Sequence, residues 1–170
     1  MTDSSIRRAT LKDAEVLAEL GGATFADTFG HLYPPEDLEA FLDEAYAADT
    51  FEAFLSLPGH ALWLVEREGV AIGYAQVGPC ALPHPEVTPE CGELKRLYVR
   101  KAVQGGGAGQ ALLKTALDWL EAPGRRLWIG VWSQNFGAQR LYARHGFTKV
   151  GEYEFPVGST RDHEFILSRP

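Results

Sequence analysis

Small and amide-bearing residues, rather than an obvious nucleophile, carry the visible chemistry of this chain. Between Gly105 and Gly109 the only side chain is the methyl group of Ala108. A strand-like segment, Glu93 to Val99, leads into this turn through a short linker, and a helical pattern begins directly after it. Such a layout binds anions, because bare N–H groups of the turn and the N-terminus of the following helix converge where negative charge is stabilised. A β-carbon on the turn would hold a phosphate away from the amides and forbid positive φ. A P-loop would need Gly-Lys-Ser/Thr at its end, whereas Gly109 is followed by Gln110 and Ala111. A dinucleotide fingerprint matches Gly107 and Gly109 but meets Leu112 in place of its third small residue, and it would open a βαβ unit instead of standing far into the chain. A ligand-free hairpin is the remaining alternative, although such turns need only one or two glycines.

A second constellation lies downstream: Asn135-x-x-Ala138-x-x-x-Tyr142-x-x-x-Gly146-Phe147. Asn135 is placed to cap a helix running to about His145. Ala138 and Tyr142 fall four apart on one face of it, and Gly146 serves as a left-handed stop before Phe147 re-enters a strand. The histidines His31, His60, His84, His145 and His163 lack ligand spacing such as i, i+4 on a helix, so no metal is expected. Cys80 and Cys91 flank a proline-rich loop with nothing nearby that lowers a thiol pKa, and both are read as free thiols without a role.

Together, Glu93-Leu-Lys-Arg-Leu-Tyr-Val99 and Gln104-x-x-Gly107-x-Gly109 resemble the coenzyme-A-binding motif of the GNAT N-acetyltransferases, whose pattern is Gln or Arg, two residues, Gly, one residue, Gly or Ala. The resemblance covers nearly the whole chain. It implies an α+β (mixed α/β) fold: a mostly antiparallel mixed sheet of six to seven strands, flanked by about four helices. Two central parallel strands, Glu93 to Val99 and Arg126 to Trp132, would splay apart to admit the pantetheine arm of acetyl-CoA. It further implies that Leu97, Tyr98 and Val99 line that arm. Gln104, Gly105, Gly106, Gly107, Ala108, Gly109 and Gln110 would hold the pyrophosphate. Asn135, Ala138 and Tyr142 would approach the pantetheine and sulfur end.

Acetyl transfer from a thioester requires a deprotonated amine, stabilisation of charge on the carbonyl oxygen and stabilisation of the departing thiolate. Tyr142 is the expected partner of the thiolate. With unperturbed pKa values of about 10 for a phenol and about 8.5 for a thiol, the expected contact is a hydrogen bond that becomes a transfer only late. A purely structural tyrosine on a helix face is the alternative. Glu93 is the expected base, acting through a water on the incoming ammonium, set against a strand-end carboxylate paired with Lys95. A backbone N–H near Val99 is the expected oxyanion donor.

The segment Thr24-Phe25-x-Asp27-Thr28-Phe29-Gly30-His31-Leu32-Tyr33, with Pro35-Glu36-Asp37-Leu38, resembles the spermidine/spermine N-acetyltransferase subgroup. That likeness makes Phe29, His31, Tyr33 and Glu36 the expected acceptor walls and a polyamine the leading acceptor. A protein, peptide, amino-acid or antibiotic amine is the alternative acceptor. A non-catalytic acyl-CoA-binding module is the alternative class, and the presence of both Glu93 and Tyr142 argues against it.

The elements that must position these groups follow from period and punctuation. The 170 residues, 45% hydrophobic, suit a single domain over 1–170. The net charge of −7 argues against a nucleic-acid surface, and the run from His31 to Glu66, rich in carboxylates and without Lys or Arg, fits a cationic partner or a solvated helix face. Lys95, Arg96, Arg100 and Lys101 cluster ahead of the glycine turn, suiting a polyphosphate. No signal segment or membrane-length apolar run is visible, so a cytoplasmic protein without a membrane partner is expected.

An edge strand at Ile6 to Ala9 and a Thr10–Asp13 capping pair precede a helix that Gly21-Gly22 is expected to weaken. Pro34-Pro35 opens a second helix, and Thr50 is read as the cap of a third. A hairpin turns at Glu68-Gly69, and the proline-rich loop after it is a candidate acceptor wall. The Glu93 to Val99 strand lacks clean alternation, as a bulge or two-sided burial would cause. Two last strands, about Thr148 to Phe155 and Asp162 to Leu167, close the sheet. Homodimerisation stays open, with exposed aromatics on those strands as the place for a second copy to dock.

Overall fold

The computed structural model describes residues 4–101 and 106–170, and seven strands form one sheet. Strand β1 (Ser4–Arg8) occupies one edge. After it, the Thr10 N–H donates to the Asp13 carboxylate at 2.8 Å, and the Arg7 guanidinium donates to both oxygens of the same carboxylate. The capping pair is thus locked to the edge strand.

Helix α1 (Ala14–Phe29) runs unbroken through Gly21-Gly22. The glycine there serves packing: a β-carbon on Gly21 would lie 2.7 Å from the Tyr46 ring. The helix keeps its shape because Leu17, Leu20 and Phe25 are buried around it, which outweighs a propensity cost of about 1 kcal/mol. Helix α2 (Pro35–Ala45) opens with Pro35 in its first turn. Helix α3 (Ala48–Ser56) starts ahead of Thr50, whose hydroxyl donates back to the Glu44 carbonyl instead of capping.

Strands β2 (Ala61–Arg67) and β3 (Val70–Pro79) form the expected hairpin, with both turn residues, Glu68 and Gly69, at positive φ. The chain continues through β4 (Gly92–Val99), α4 (Ala108–Leu120), β5 (Leu127–Trp132), α5 (Phe136–Arg144), β6 (Thr148–Val157) and β7 (Thr160–Arg169). The spatial order is β1-β2-β3-β4-β5-β7-β6, antiparallel except for the β4–β5 pair. Five α-helices of eight residues or more flank it among the described residues, where about four are expected from the resemblance.

Alternation along β2 and β3 sorts the core into two layers. Trp63, Val65 and Ala75 pack with α4 and α5 on one face, while Leu62, Leu64 and Tyr74 pack with α1, α2 and α3 on the other. The aromatics of the last two strands, Tyr153, Phe155 and Phe165, are half-buried against these layers and form no exposed patch. No helix of the described residues is long and apolar enough to cross a membrane.

Candidate active site

The site begins with one extra residue. The β3–β4 ladder passes from Gln76–Arg96 to Val77–Leu94, so Lys95 has no counterpart and forms a bulge. This is why the strand shows no clean alternation. Leu94, Leu97 and Val99 all pack on the α4 face, whereas Tyr98 packs on the α1 face. The parallel β4–β5 ladder ends at the same point, after Leu94–Ile129. Beyond it the strands diverge and enclose a cavity of about 450 Å³.

Its walls come from both strands and from α5: Leu97, Tyr98 and Val99 on β4, Gly130 to Trp132 on β5, then Asn135, Ala138 and Tyr142. Asn135 caps α5 by accepting the Ala138 N–H at 3.2 Å, which sets Ala138 and Tyr142 on the cavity side. Tyr142 is buried and packs edge-on to Phe147, and its hydroxyl makes no hydrogen bond among the described residues. Burial alone pushes its phenol well above the ordinary range, so it is a proton donor at any working pH.

At the far end of β4 stands the N-terminus of α4. Gly107 is its N-cap at φ 87°, and among the described residues no side chain caps the helix and no atom outside the adjoining backbone lies within 4 Å of where a β-carbon on Gly107 would sit. The first-turn amides of Ala108, Gly109 and Gln110 have no intrahelical acceptor, and Gly106 and Gly107 leave their approach open. A pyrophosphate fits this cradle, and the cavity leading from it past Val99 to Tyr142 suits a long flexible arm. Gln104 and Gly105 lie outside the described residues. Of the expected basic cluster, Lys95, Arg96 and Lys101 all line the larger cavity. Lys95 also pairs with Glu93 at 3.0 Å, and Arg96 lies 4.4 Å from the Tyr46 ring centre.

A second cavity, about 190 Å³, opens on the α1 face of the sheet and shares Phe29, Lys95, Arg96, Tyr98, Gly130 and Glu164 with the first. Its apolar wall is a cluster of rings, with the centres of Phe29, Phe41 and Tyr46 lying 4.8 to 5.5 Å from that of Phe25. Three carboxylates enter it: Glu93, Asp162 and Glu164. Glu93 is buried, and its Oε1 accepts from the Ala81 N–H and from Lys95, each at 3.0 Å. Asp162 accepts from the Tyr33 hydroxyl. Glu164 has no partner among the described residues, and burial beside Asp162 pushes its carboxyl up to about 7. Gly130 makes room here, since a β-carbon on it would lie 2.9 Å from the Tyr153 hydroxyl.

Phe29 therefore lines both cavities, His31 the larger and Tyr33 the smaller. Glu36 is exposed and lines neither, because the first turn of α2 directs it to solvent. The proline-rich loop also lines neither. It packs Leu82 and Cys91 beside Trp128, and its Ala81 N–H holds Glu93. Both cysteines are free and outside the cavities, and burial pushes the Cys80 thiol up to about 11. Asp162 and Glu164 were missed in the sequence. Their only signal was two carboxylates at strand period 2 on the final strand.

An acyl donor bound on the α4 cradle and an amine in the smaller cavity would meet where the two cavities join, between β4 and β5. Known proteins resemble this chain in sequence and in fold. An uncharacterized N-acetyltransferase of Lactobacillus delbrueckii subsp. lactis, encoded in the pepI 3′ region, is 32% identical over 174 residues, covering 99% of this chain and 98% of that one. A probable spermine N(1)-acetyltransferase of Bacillus subtilis subsp. natto is 32% identical over 92 residues, covering 52% of this chain and 59% of that one. The crystal structure of the PaiA N-acetyltransferase from Thermoplasma acidophilum in complex with coenzyme A has the same fold, with a TM-score of 0.77, 20% identity and 98% of each chain covered. The pattern of the Acetyltransferase (GNAT) family matches residues 26–147, and the chain belongs to that family of N-acetyltransferases, which use acetyl-CoA as acyl donor.

Proposed function

We propose that this enzyme acetylates a primary amine of a small cationic acceptor by direct transfer from acetyl-CoA, with polyamines such as spermidine and spermine the leading acceptors. The observation that carries this reading is the smaller cavity. Aromatic walls with Glu93, Asp162 and Glu164 suit an alkylammonium group, which ring faces and carboxylates both attract. Lys95 and Arg96 line the cavity too, but Lys95 is paired with Glu93 and Arg96 lies over the Tyr46 ring, which leaves Asp162 and Glu164 to set the sign. The partial likeness to a probable spermine acetyltransferase points the same way.

In this reading Gln104 to Gln110 hold the pyrophosphate. Leu97, Tyr98, Val99, Asn135 and Ala138 line the path of the arm, and a backbone N–H near Val99 meets the charge that builds on the carbonyl oxygen. Tyr142 donates to the sulfur. Its raised pKa makes full proton transfer more uphill than an unperturbed phenol would, so its contribution is a hydrogen bond sustained through thiolate departure. Glu93, fixed by Lys95 and Ala81, supplies negative charge beside the ammonium, and His31 stands at the rim. The enzyme works as one domain, in the cytoplasm, a setting that its two free thiols fit.

The test is acetyl-CoA-dependent release of free thiol over spermidine, spermine, n-butylamine, β-alanine, an aminoglycoside and a peptide with a free N-terminus. Saturable turnover on the alkylammonium compounds and none on β-alanine is the expected result. Preference for the peptide would replace the small-amine reading with a protein acceptor.

A further inference from the structure

Among the three carboxylates of the smaller cavity, two are already engaged. Glu93 is held by Lys95 and the Ala81 N–H, and Asp162 by the Tyr33 hydroxyl. Glu164 alone lacks a partner among the described residues, and it lines both cavities. Its place follows from sheet order. It lies opposite Trp132 on β5 and Tyr153 on β6, and strand period carries it, with Asp162, to the face away from Phe165 and Leu167. Tyr142, by contrast, belongs to the core layer on the α4 face.

We propose that Glu164 is the group that takes the proton from the acceptor ammonium, a role that rests on the acetyltransferase reading of the two joined cavities and moves the base from Glu93 to the last strand.

One N–H proton passes to the Glu164 carboxylate and leaves a lone pair on nitrogen. The N–C bond forms as the C–S bond breaks, and the bonding pair departs on sulfur. The second nitrogen proton follows to the sulfur, and Glu164 returns its own proton to water. Glu93 is poorly suited to the same step, because accepting a proton would break its pairing with Lys95.

The surroundings support a base that titrates near neutrality. On its own strand Asp162 adds like charge, and β4 presents Glu93 with its partner Lys95, as well as Arg96 and Tyr98. The helical layer presents Tyr33 and Tyr46 on one side, with Asp27 and His31 at the larger cavity, and β6 presents Tyr153. Arg96 lies over the Tyr46 ring and donates to the Ala45 carbonyl through one nitrogen, while its other terminal nitrogen is buried without a partner among the described residues. Desolvation and Asp162 together push the Glu164 carboxyl up to about 7. The group is neutral below that pH and becomes an acceptor above it.

This gives a pH signature that a merely structural residue would not give. With Glu164 as base, kcat/KM for spermidine rises through about pH 7 and then levels, because the productive pair is charged carboxylate plus ammonium. In Glu164→Gln only the free amine reacts, so the rate falls on the order of 10²- to 10⁴-fold at pH 7. It then keeps rising to the amine's own pKa of about 10. Glu164→Asp keeps the break near neutrality at reduced rate, and acetyl-CoA affinity, measured by calorimetry, stays unchanged in both variants.

A carboxyl ¹³C titration of the free protein is run alongside. The resonance missing from Glu164→Gln should titrate near 7, and its midpoint should fall when n-butylamine is added. A native-like break near 7 in Glu164→Gln, or a Glu164 midpoint in the ordinary range of about 4.3, overturns the proposal. If native enzyme leaves spermidine untouched, the polyamine reading fails by itself, and the ¹³C midpoint and its response to n-butylamine still decide the role of Glu164.

Discussion

Replacing Tyr142 with phenylalanine separates function from stability in this site. The substitution keeps the ring that packs edge-on to Phe147 and removes only a hydroxyl with no hydrogen-bond partner among the described residues. No intramolecular hydrogen bond is lost and the volume hardly changes, so the stability change is expected to stay within about 0.5 kcal/mol. For a chain of this size that is roughly 1–2 °C in Tm. Catalysis responds differently, because a hydrogen bond to a charged acceptor contributes about 1.5–3 kcal/mol. Losing it as charge develops on sulfur lowers kcat by about 10- to 150-fold, since each 1.4 kcal/mol is tenfold. Thiol release under saturating acetyl-CoA and amine gives kcat, calorimetry gives acetyl-CoA affinity, and circular dichroism gives Tm. Unchanged kcat would refute the assigned role. A large drop in Tm would show that the hydroxyl is structural. The native profile should also show no alkaline fall from this phenol below about pH 10, because burial raises its pKa and keeps it protonated.

The two glycines of α1 should respond in opposite directions. Gly21→Ala gains about 1 kcal/mol of helix propensity but drives a β-carbon to 2.7 Å from the buried Tyr46 ring, an overpacking cost of about 1–3 kcal/mol, so a net loss in Tm is expected. Gly22→Ala meets nothing closer than 3.9 Å and should raise Tm, and equal shifts in both variants would refute the packing argument. Gly107→Ala is expected to cost about 1–2 kcal/mol of left-handed strain and to weaken acetyl-CoA binding about tenfold, since the new methyl fills the open cradle. Unchanged affinity by calorimetry would place the pyrophosphate elsewhere. Asp13 is held at about 2 by the Arg7 guanidinium, so its stabilising contribution is complete above the unfolded carboxylate pKa of about 3.9 and disappears as pH falls through about 2. Urea midpoints at pH 6 and pH 3 should differ less in Asp13→Asn than in the native chain.

Local rules made most of the fold legible. Pro35 at a helix start, Asn135 as a cap, Gly146 as a stop and Glu68-Gly69 as a tight turn each act within a few residues, and each is where the sequence puts it. The walls of the larger cavity were legible for the same reason, since Ala138 and Tyr142 follow from helical period and Leu97 to Val99 from one strand. The acceptor side depends on longer-range facts. Asp162 and Glu164 look like ordinary polar positions of a final strand until β7 inserts between β5 and β6 and brings them to the gap. Lys95 and Arg96 look like free members of a phosphate patch, whereas in the fold Lys95, at the bulge, pairs with Glu93 and Arg96 lies over the Tyr46 ring of the distant helical layer. Glu36 has the right charge, but its place in the first turn of α2 leaves it in solvent.

The most direct test is a crystal structure of the enzyme with coenzyme A and spermidine. The account predicts the pyrophosphate on the first-turn amides of α4, the sulfur within hydrogen-bond reach of the Tyr142 hydroxyl, and the amine nitrogen in the smaller cavity beside Glu164. A sulfur out of reach of Tyr142, or an amine bound away from the aromatic and acidic cavity, would contradict it.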